Sequence, residues 1–496
     1  MGPGIDAAEA TEFVNALKQA PVESIETILR SLMQNIEMFH DQFSLIDELM
    51  RLLQSNMLGQ SREQASLLDP DLIIALYDNL QAEQKSRFIL LHCLAIARTP
   101  EHLRLLTETL VRNPPASWVQ SGLILSPLFQ HDDWDVSDVF PDALDALEHS
   151  AVASVLLDLA NHLTRGGRSG QTHVASDRSE ELIGLLGGLV ARLEQAQQDP
   201  DSAPESAQKM DQMVGESVAL IVSLCDALAL IGDDTSIPTI RSAMTLPHRR
   251  IQTEAAGALA RLEQDDGIER LLSLASEPVA RLRVLAYAEE LGLSDGIAES
   301  HKTPEARAES ELALWLSQPS QMTVPPSRIE LVDKCSQFWP GFEEPIDCFL
   351  LEFEYWFGDQ RYRNLGIAGP LVHAFEADLT HLDQFDAYAA FAGWQAEHPD
   401  IYEVPVQSWN SAQQQVSSEL VRGLEKQGYE SITPEFLGFF FGEHALVTIA
   451  HKEQRNGICV TDGLETLWFA GSRLRPLSLA DGWNIYKGRK LLRSFN

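Results

Sequence analysis

Apolar side chains in the first two thirds of the chain recur every three or four positions, the spacing of one helix face. In Ser24–Ile36 the residues Ile25, Ile28, Leu29, Leu32 and Ile36 share such a face. Lys85–Arg112 reads as two amphipathic helices joined at Arg98-Thr99-Pro100, with the proline suited to a first helical turn. Helix, short turn, helix is the recurring unit. Two flexible, solvent-exposed insertions are expected to interrupt it. One lies near 164–178 and opens with the glycine-rich Thr164–Gly170. The other lies near 195–210, where Gln, Asp, Pro and Ser leave little to anchor a core.

From about Arg328 the helical period breaks up. Phe349–Phe357 fits either a buried helix or a strand, while Pro370–Leu379, Phe385–Glu397 and Ser411–Lys426 read as helices. After Pro434 the pattern turns to strands. Ala445–Ala450 and Gly457–Thr461 flank a polar turn around Gln454-Arg455-Asn456 as a hairpin would, and Thr466–Phe469 and Trp483–Tyr486 are further candidate strands. The run Phe436–Phe441 reads as core, because large aromatics bury much area per residue.

The clearest internal repeat lies between residues 227 and 297. Ala227-Leu228-Ala229-Leu230-Ile231-Gly232-Asp233-Asp234 aligns with Ala258-Leu259-Ala260-Arg261-Leu262-Glu263-Gln264-Asp265 at an offset of 31. The same offset carries Pro247 to Pro278, Arg250 to Arg281, Ile251 to Leu282 and Ala255 to Ala286. A third copy ends in Leu291-Gly292-Leu293-Ser294-Asp295, with the offset slipping to 29. A helix pair with an apolar face left over must stack on its neighbours, and small residues such as Ala255, Ala256 and Ala258 permit close approach. The pattern resembles the HEAT-like repeats of the phycobilisome-lyase type, well over 220–297 and more loosely over 20–160. The resemblance implies a mainly α architecture: a HEAT-like α-solenoid followed by an aromatic-rich α+β C-terminal domain. It is shared by scaffolds, lyases and hydroxylases, so it implies no single function. The His-Glu dipeptides that hold metal in HEAT-repeat hydroxylases are absent from all 496 residues.

Composition sharpens the boundaries. Residues 323–496 hold 26 of the 37 Phe, Trp and Tyr residues, and every methionine falls at or before Met322. The polar, proline-bearing segment 317–327 reads as a linker between a helical repeat region, 1–316, and a C-terminal domain, 328–496. With 73 acidic against 37 basic residues the formal charge is −36, which repels nucleic acid and anionic membranes and leaves a protein partner as the expected one. From Gly457 onward basic residues outnumber acidic ones by three. That tail can dock within the molecule or form a solvated strand edge. The N-terminus carries no leader pattern and no stretch approaches a membrane span, so a cytoplasmic protein is expected. The five cysteines form no CxxC pair. They read as buried thiols, although Cys335 and Cys348 can come close.

Candidate chemistry concentrates in Gly358–Pro370 and His373. If a helix starts at Pro370, the preceding loop with Gly366 and Gly369 can present backbone N–H groups to an anion. Arg361 and Arg363 would supply charge, and Asp359 or His373 an acid or base. The competing reading is a structural loop with its arginines paired to nearby acids. The other histidines of this region, His381, His398, His444 and His451, form no metal-ligand spacing. No metal site, cofactor or catalytic set is assigned. A non-enzymatic interaction scaffold leads over an enzyme or ligand-handling C-terminal domain, and over a tetrapyrrole lyase-like role that rests on the resemblance alone.

Overall fold

The computed structural model describes residues 25–34, 43–58, 62, 66–80, 86–170, 172–198, 207–318, 320–396, 400–440, 442–471 and 477–495. His398, Phe441, Arg473, Arg475 and residues 199–206 of the second expected insertion lie outside them. The chain forms two compact units, residues 1–273 and 274–496. It is mainly helical, with two small antiparallel sheets in the C-terminal region. Helix gives way to strand between Leu316 and Arg328, within the segment read as a linker.

The first unit contains α1 (Ile25–Gln34), α2 (Phe43–Leu58), α3 (Pro70–Asn79), α4 (Phe88–Ala97), α5 (Pro100–Arg112), α6 (Trp118–Gln130), α7 (Ser150–Arg165), α8 (Ser179–Gln198), α9 (Ala207–Ile231), α10 (Ile237–Thr245), α11 (Arg249–Arg261) and α12 (Asp265–Ser273). Local signals set many ends. Arg98 closes α4 in the left-handed region, and the Thr99 side chain accepts from the His102 N–H before Pro100 opens α5. Leucines and alanines from α3 through α11 form one continuous core.

The repeat has a backbone signature. Gly232, Glu263 and Gly292 all take positive φ (76°, 57° and 70°), just past the ends of three aligned helices. These positions coincide under the 31- and 29-residue offsets. At the second and third, the N–H three residues past the last helical residue reaches back, Gln264 to the Leu259 carbonyl at 2.9 Å and Leu293 to that of Ala288 at 2.7 Å. Such closures satisfy carbonyls that a helix end would otherwise strand.

Within 164–178, Arg165, Gly166, Gly167 and Gly170 are exposed, as expected of an insertion, but the Arg168 guanidinium lies over the Trp134 ring at 4.7 Å and donates to the Trp134 carbonyl. His173 is buried, with Nε2 2.9 Å from Asn161 Oδ1. In α9, contrary to expectation, Met213–Ile231 is long and apolar enough to cross a membrane, and 67% of it is buried inside the protein. Its apolar length packs against α7 and α11.

The second unit begins with α13 (Pro278–Glu290) and α14 (Pro304–Leu316). One sheet runs β1 (Arg328–Gln337), β2 (Ile346–Phe357), β3 (Gln360–Ala368), β4 (His373–Ala374), all neighbours antiparallel. The other runs β5 (Ile401–Pro405), β6 (Glu430–Phe440), β7 (Glu443–Lys452), β8 (Arg455–Thr461), β9 (Thr466–Ala470). The remaining helices are α15 (Gln384–Ala396), α16 (Ser411–Lys426) and α17 (Leu479–Phe495). Strand β2 explains the ambiguity of its sequence, because it is buried on both faces. Phe349, Leu351 and Phe353 meet Leu312 and Leu316 of α14, while Cys348 and Leu350 face α15. Strands so covered lose alternation and read as continuous apolar runs.

Two predicted elements are corrected. Pro370–Leu379 is not a helix but a turn, the short strand β4 and an irregular segment. Trp483–Tyr486 is not a strand but part of α17, whose start is set by Ser478 and Asp481 capping each other's N–H groups. From Gly457 the tail thus comprises the end of β8, the edge strand β9 and helix α17, and its described basic residues Lys487, Arg489 and Lys490 lie on the helix. Arg489 pairs with Asp386 of α15, and Lys490 sits 3.0 Å from Asp462. Cys335 and Cys348 are direct cross-strand partners, both free thiols, and burial pushes that of Cys348 up to about 12.

Candidate functional site

The residues singled out for anion chemistry lie on the β2–β3 hairpin and its continuation. Gly358 and Asp359 form its two-residue turn, with Gly358 at φ 61°. Side chains then alternate strictly. Glu352, Glu354, Trp356, Arg361 and Arg363 share one face, and Phe353, Tyr355, Tyr362 and Asn364 the other. Arg361 donates through Nε to Glu354 Oε2 at 3.1 Å, and Arg363 Nη1 lies 3.4 Å from Glu352 Oε2. The Arg361 hydrogen bond holds the Glu354 carboxyl below its usual range. Both arginines are thus neutralised by cross-strand acids. The arginines are nearly half exposed, which keeps the Arg363–Glu352 pair in the range of a surface ion pair, under about 1 kcal/mol, whereas the carboxylate of Glu354 is buried.

The two glycines serve packing. A Cβ on Gly366 would lie 2.6 Å from Leu312 Cδ2, so its lack of a side chain lets α14 approach the sheet. Gly369 takes φ 108°, and a Cβ there would fall 2.3 Å from the Asp347 carbonyl oxygen. Because no helix follows Pro370, the expected row of free N–H groups at a helix start does not exist. Gly366→Val should cost about 1–3 kcal/mol through overpacking against Leu312, read as a lowered urea midpoint with unchanged slope.

His373 sits in an aromatic cluster. Its ring stacks on Trp394 at 3.9 Å and meets Trp315 edge-on at 5.4 Å and Phe375 at 5.0 Å. Burial lowers its pKa to about 4, so the imidazole is neutral at pH 7. The unfolded chain, titrating near 6.5, binds the proton first as pH falls. The stabilisation is therefore complete above about pH 6.5 and is lost progressively toward pH 4, up to about 2–3 kcal/mol. His373→Phe, which keeps the stack, should lose less stability than the wild type between pH 7 and pH 4.5. Equal losses in parallel urea titrations would contradict this assignment.

Next to this cluster lies a cavity of about 260 Å³ between the end of α14, residues 320–322, β2, β3 and the segment after β4. Trp315, Phe353, Tyr362 and Phe375 line it, with Met322 and, at the rim, Glu376. The organising residue is Asn364, fully buried. Its Nδ2 donates to the Phe375 and Ala377 carbonyls at 2.9 and 2.8 Å and to Tyr362 Oη at 3.2 Å. Its Oδ1 accepts from the Leu365 and Leu379 N–H groups at 2.8 and 2.9 Å. Asn364 thereby fixes the segment carrying Phe375 and Glu376 against β3. Sequence reading named His373 but missed Asn364, Tyr362 and Trp315. The faint available signal was a lone Asn before an apolar triplet in a strand.

In the first unit a wider cleft of about 560 Å³ is lined by Asp132, Asp133, Asp135 and Asp138 with Arg62 and Arg168. Its charges are largely spent on structure. Arg98 Nε lies 2.8 Å from Asp133, Arg168 pairs with Asp132, and Asp135 caps the Ser137 N–H. Among the described residues no group of three or more His, Cys, Asp or Glu side chains is placed to hold a metal ion.

No family model matches the chain, and neither a curated protein nor a solved structure matches it significantly.

Proposed function

We propose that residues 1–316 build a HEAT-like α-solenoid whose acidic surface binds a protein partner, making the chain a non-enzymatic, cytoplasmic scaffold or adaptor. The observation that carries the reading is the recurrence of the same left-handed helix closure at Gly232, Glu263 and Gly292. Equivalent closures at equivalent alignment positions are what stacked repeats require, and stacked repeats present extended surfaces to partners. The charge of −36 suits a cationic partner protein, not nucleic acid or an anionic membrane. On this reading residues 317–327 link the repeats to a C-terminal domain that adds specificity.

The test is a charge reversal on the repeat. Asp234, Asp265 and Glu269 are exposed, so Asp234→Lys/Asp265→Lys/Glu269→Lys should leave folding intact. Tagged wild-type chain should retain one stoichiometric protein from its native cells that the triple variant loses, with salt-dependent affinity. Equal retention by both forms would move the interface off the repeat surface. A second reading, a ligand-handling C-terminal unit, is favoured by the cavity beside Asn364. The tetrapyrrole lyase-like alternative is removed if purified protein is colourless and does not bind tetrapyrrole.

A further inference from the structure

The geometry points to a second, independent role for the C-terminal unit: we propose that the cavity lined by Trp315, Phe353, Tyr362 and Phe375 binds an alkylated ammonium group. Helix α14, the two strands of the β2–β3 hairpin and the segment after β4 each contribute one aromatic ring to this cavity. Phe353 and Tyr362 come from adjacent strands on the same sheet face, their centroids 6.1 Å apart and their planes at 61°, so they form two walls at an angle. Phe375 is held by the Asn364 clamp and backed by Phe391 at 5.0 Å, and Trp315 is braced by the His373 ring. The walls are pre-organised, which limits the cost of ordering them on binding.

Size, polarity and charge agree on the ligand class. About 260 Å³ is below the roughly 300–1,000 Å³ of sites for drug-sized molecules, so only a compact head group enters. Aromatic faces carry partial negative charge and attract cations, most strongly those that give up their water easily. Four of the lining residues are aromatic and three are aliphatic or thioether, while Ser320, Gln321 and Glu376 add polar groups. A primary ammonium is held best by hydrogen-bond acceptors and keeps its water more strongly than an alkylated one. A trimethylammonium group needs no acceptors. The Met322 thioether adds a polarizable contact, and Glu376 places a carboxylate at the rim while no Lys or Arg lines the cavity. The surrounding unit is acidic as well, with 32 Asp and Glu against 18 Lys and Arg in residues 274–496. The head group can come from a free choline-type molecule or from a trimethylated lysine side chain. Both present the same chemistry to the cavity.

The experiment uses the full chain, followed by calorimetry and tryptophan fluorescence. It is titrated with choline, with its neutral isostere 3,3-dimethyl-1-butanol, and with a short peptide carrying trimethyl-lysine or unmodified lysine. Saturable binding of choline or of the trimethylated peptide is expected, each at least about tenfold tighter than its neutral or unmodified counterpart. The tighter of the two identifies the source. Trp315→Leu and Tyr362→Leu should abolish binding. Glu376→Gln, an exposed change that leaves the core untouched, should weaken it several-fold with an unchanged melting temperature. If no cation saturates the wild type, or if the neutral isostere binds as tightly as choline, the proposal is overturned. Neither result bears on the repeat surface, whose test is separate.

Discussion

Asn364→Leu is expected to be the most damaging single substitution in the C-terminal unit, lowering its stability by at least about 3 kcal/mol. Leucine keeps the branching of asparagine but is bulkier and apolar, so lost hydrogen bonding and some overpacking act together. The replacement strips partners from the Leu379 N–H and from the Phe375 and Ala377 carbonyls. A buried polar group left without a partner costs about 1–3 kcal/mol, and no regular ladder is available to re-pair residues 375–379. Seven of the nine tryptophans lie in residues 274–496, so intrinsic fluorescence in urea reports mainly on this unit. The expected result is a markedly lower midpoint. An unchanged midpoint would show that the segment after β4 does not depend on the clamp.

Arg281→Ala should rank second, at about 3 kcal/mol. Arg281 is 4% exposed, yet it carries a full charge. Its guanidinium donates to the Ala275 carbonyl at 2.9 Å and the Ala306 carbonyl at 2.6 Å, and Nη1 lies 3.0 Å from Glu309 Oε2. It thus joins α13 to α14. Truncation takes the side-chain donor from the Ala275 carbonyl and from the partly buried Glu309 carboxylate, while the Ala306 carbonyl keeps the Ser310 hydroxyl at 2.9 Å. Arg281→Met restores the apolar stem but not the donors, so it should recover only part of the loss. Thermal unfolding of the three forms checks the order wild type, Met, Ala. Full recovery by methionine would reduce the role of Arg281 to packing.

What could be read from the chain depended on whether the deciding interaction was local. Helix α16 was legible to the residue because Asn410 and Gln413 form a reciprocal capping box four positions wide. At the aligned positions Gly232, Glu263 and Gly292 the backbone takes positive φ each time, a feature local enough to be read along the chain. The Ser478–Asp481 cap was equally local and was overlooked in favour of the alternation in Trp483–Tyr486. Pro370–Leu379 is a different case. Its pattern fits a helix, and the grip of Asn364 from the neighbouring strand holds it extended instead. The deciding partners, Asn364 and residues 375–379, lie 11 to 15 positions apart, and helical periodicity does not report a side-chain grip of that kind.

The candidate site divides the same way. For Arg361 and Arg363 the sequence leaves two readings open, charge for an anion or arginines paired to nearby acids, and the pairs to Glu354 and Glu352 on the preceding strand agree with the second. Gly366 and Gly369 looked like a ligand loop, whereas Leu312 and Asp347 are what their missing side chains make room for. The aromatic cavity was invisible, since its walls come from α14, the β2–β3 hairpin and the segment after β4. His373, read as a candidate acid or base, is a neutral ring within an aromatic stack.

The central claim, that the helical repeats exist to bind another protein, is tested most directly by native mass spectrometry of the full chain purified gently from its own cells. The prediction is a complex whose excess mass is a polypeptide in fixed stoichiometry, released by raised salt and absent from the Asp234→Lys/Asp265→Lys/Glu269→Lys variant. A chain that carries no polypeptide but holds a small molecule unaffected by that variant would contradict it.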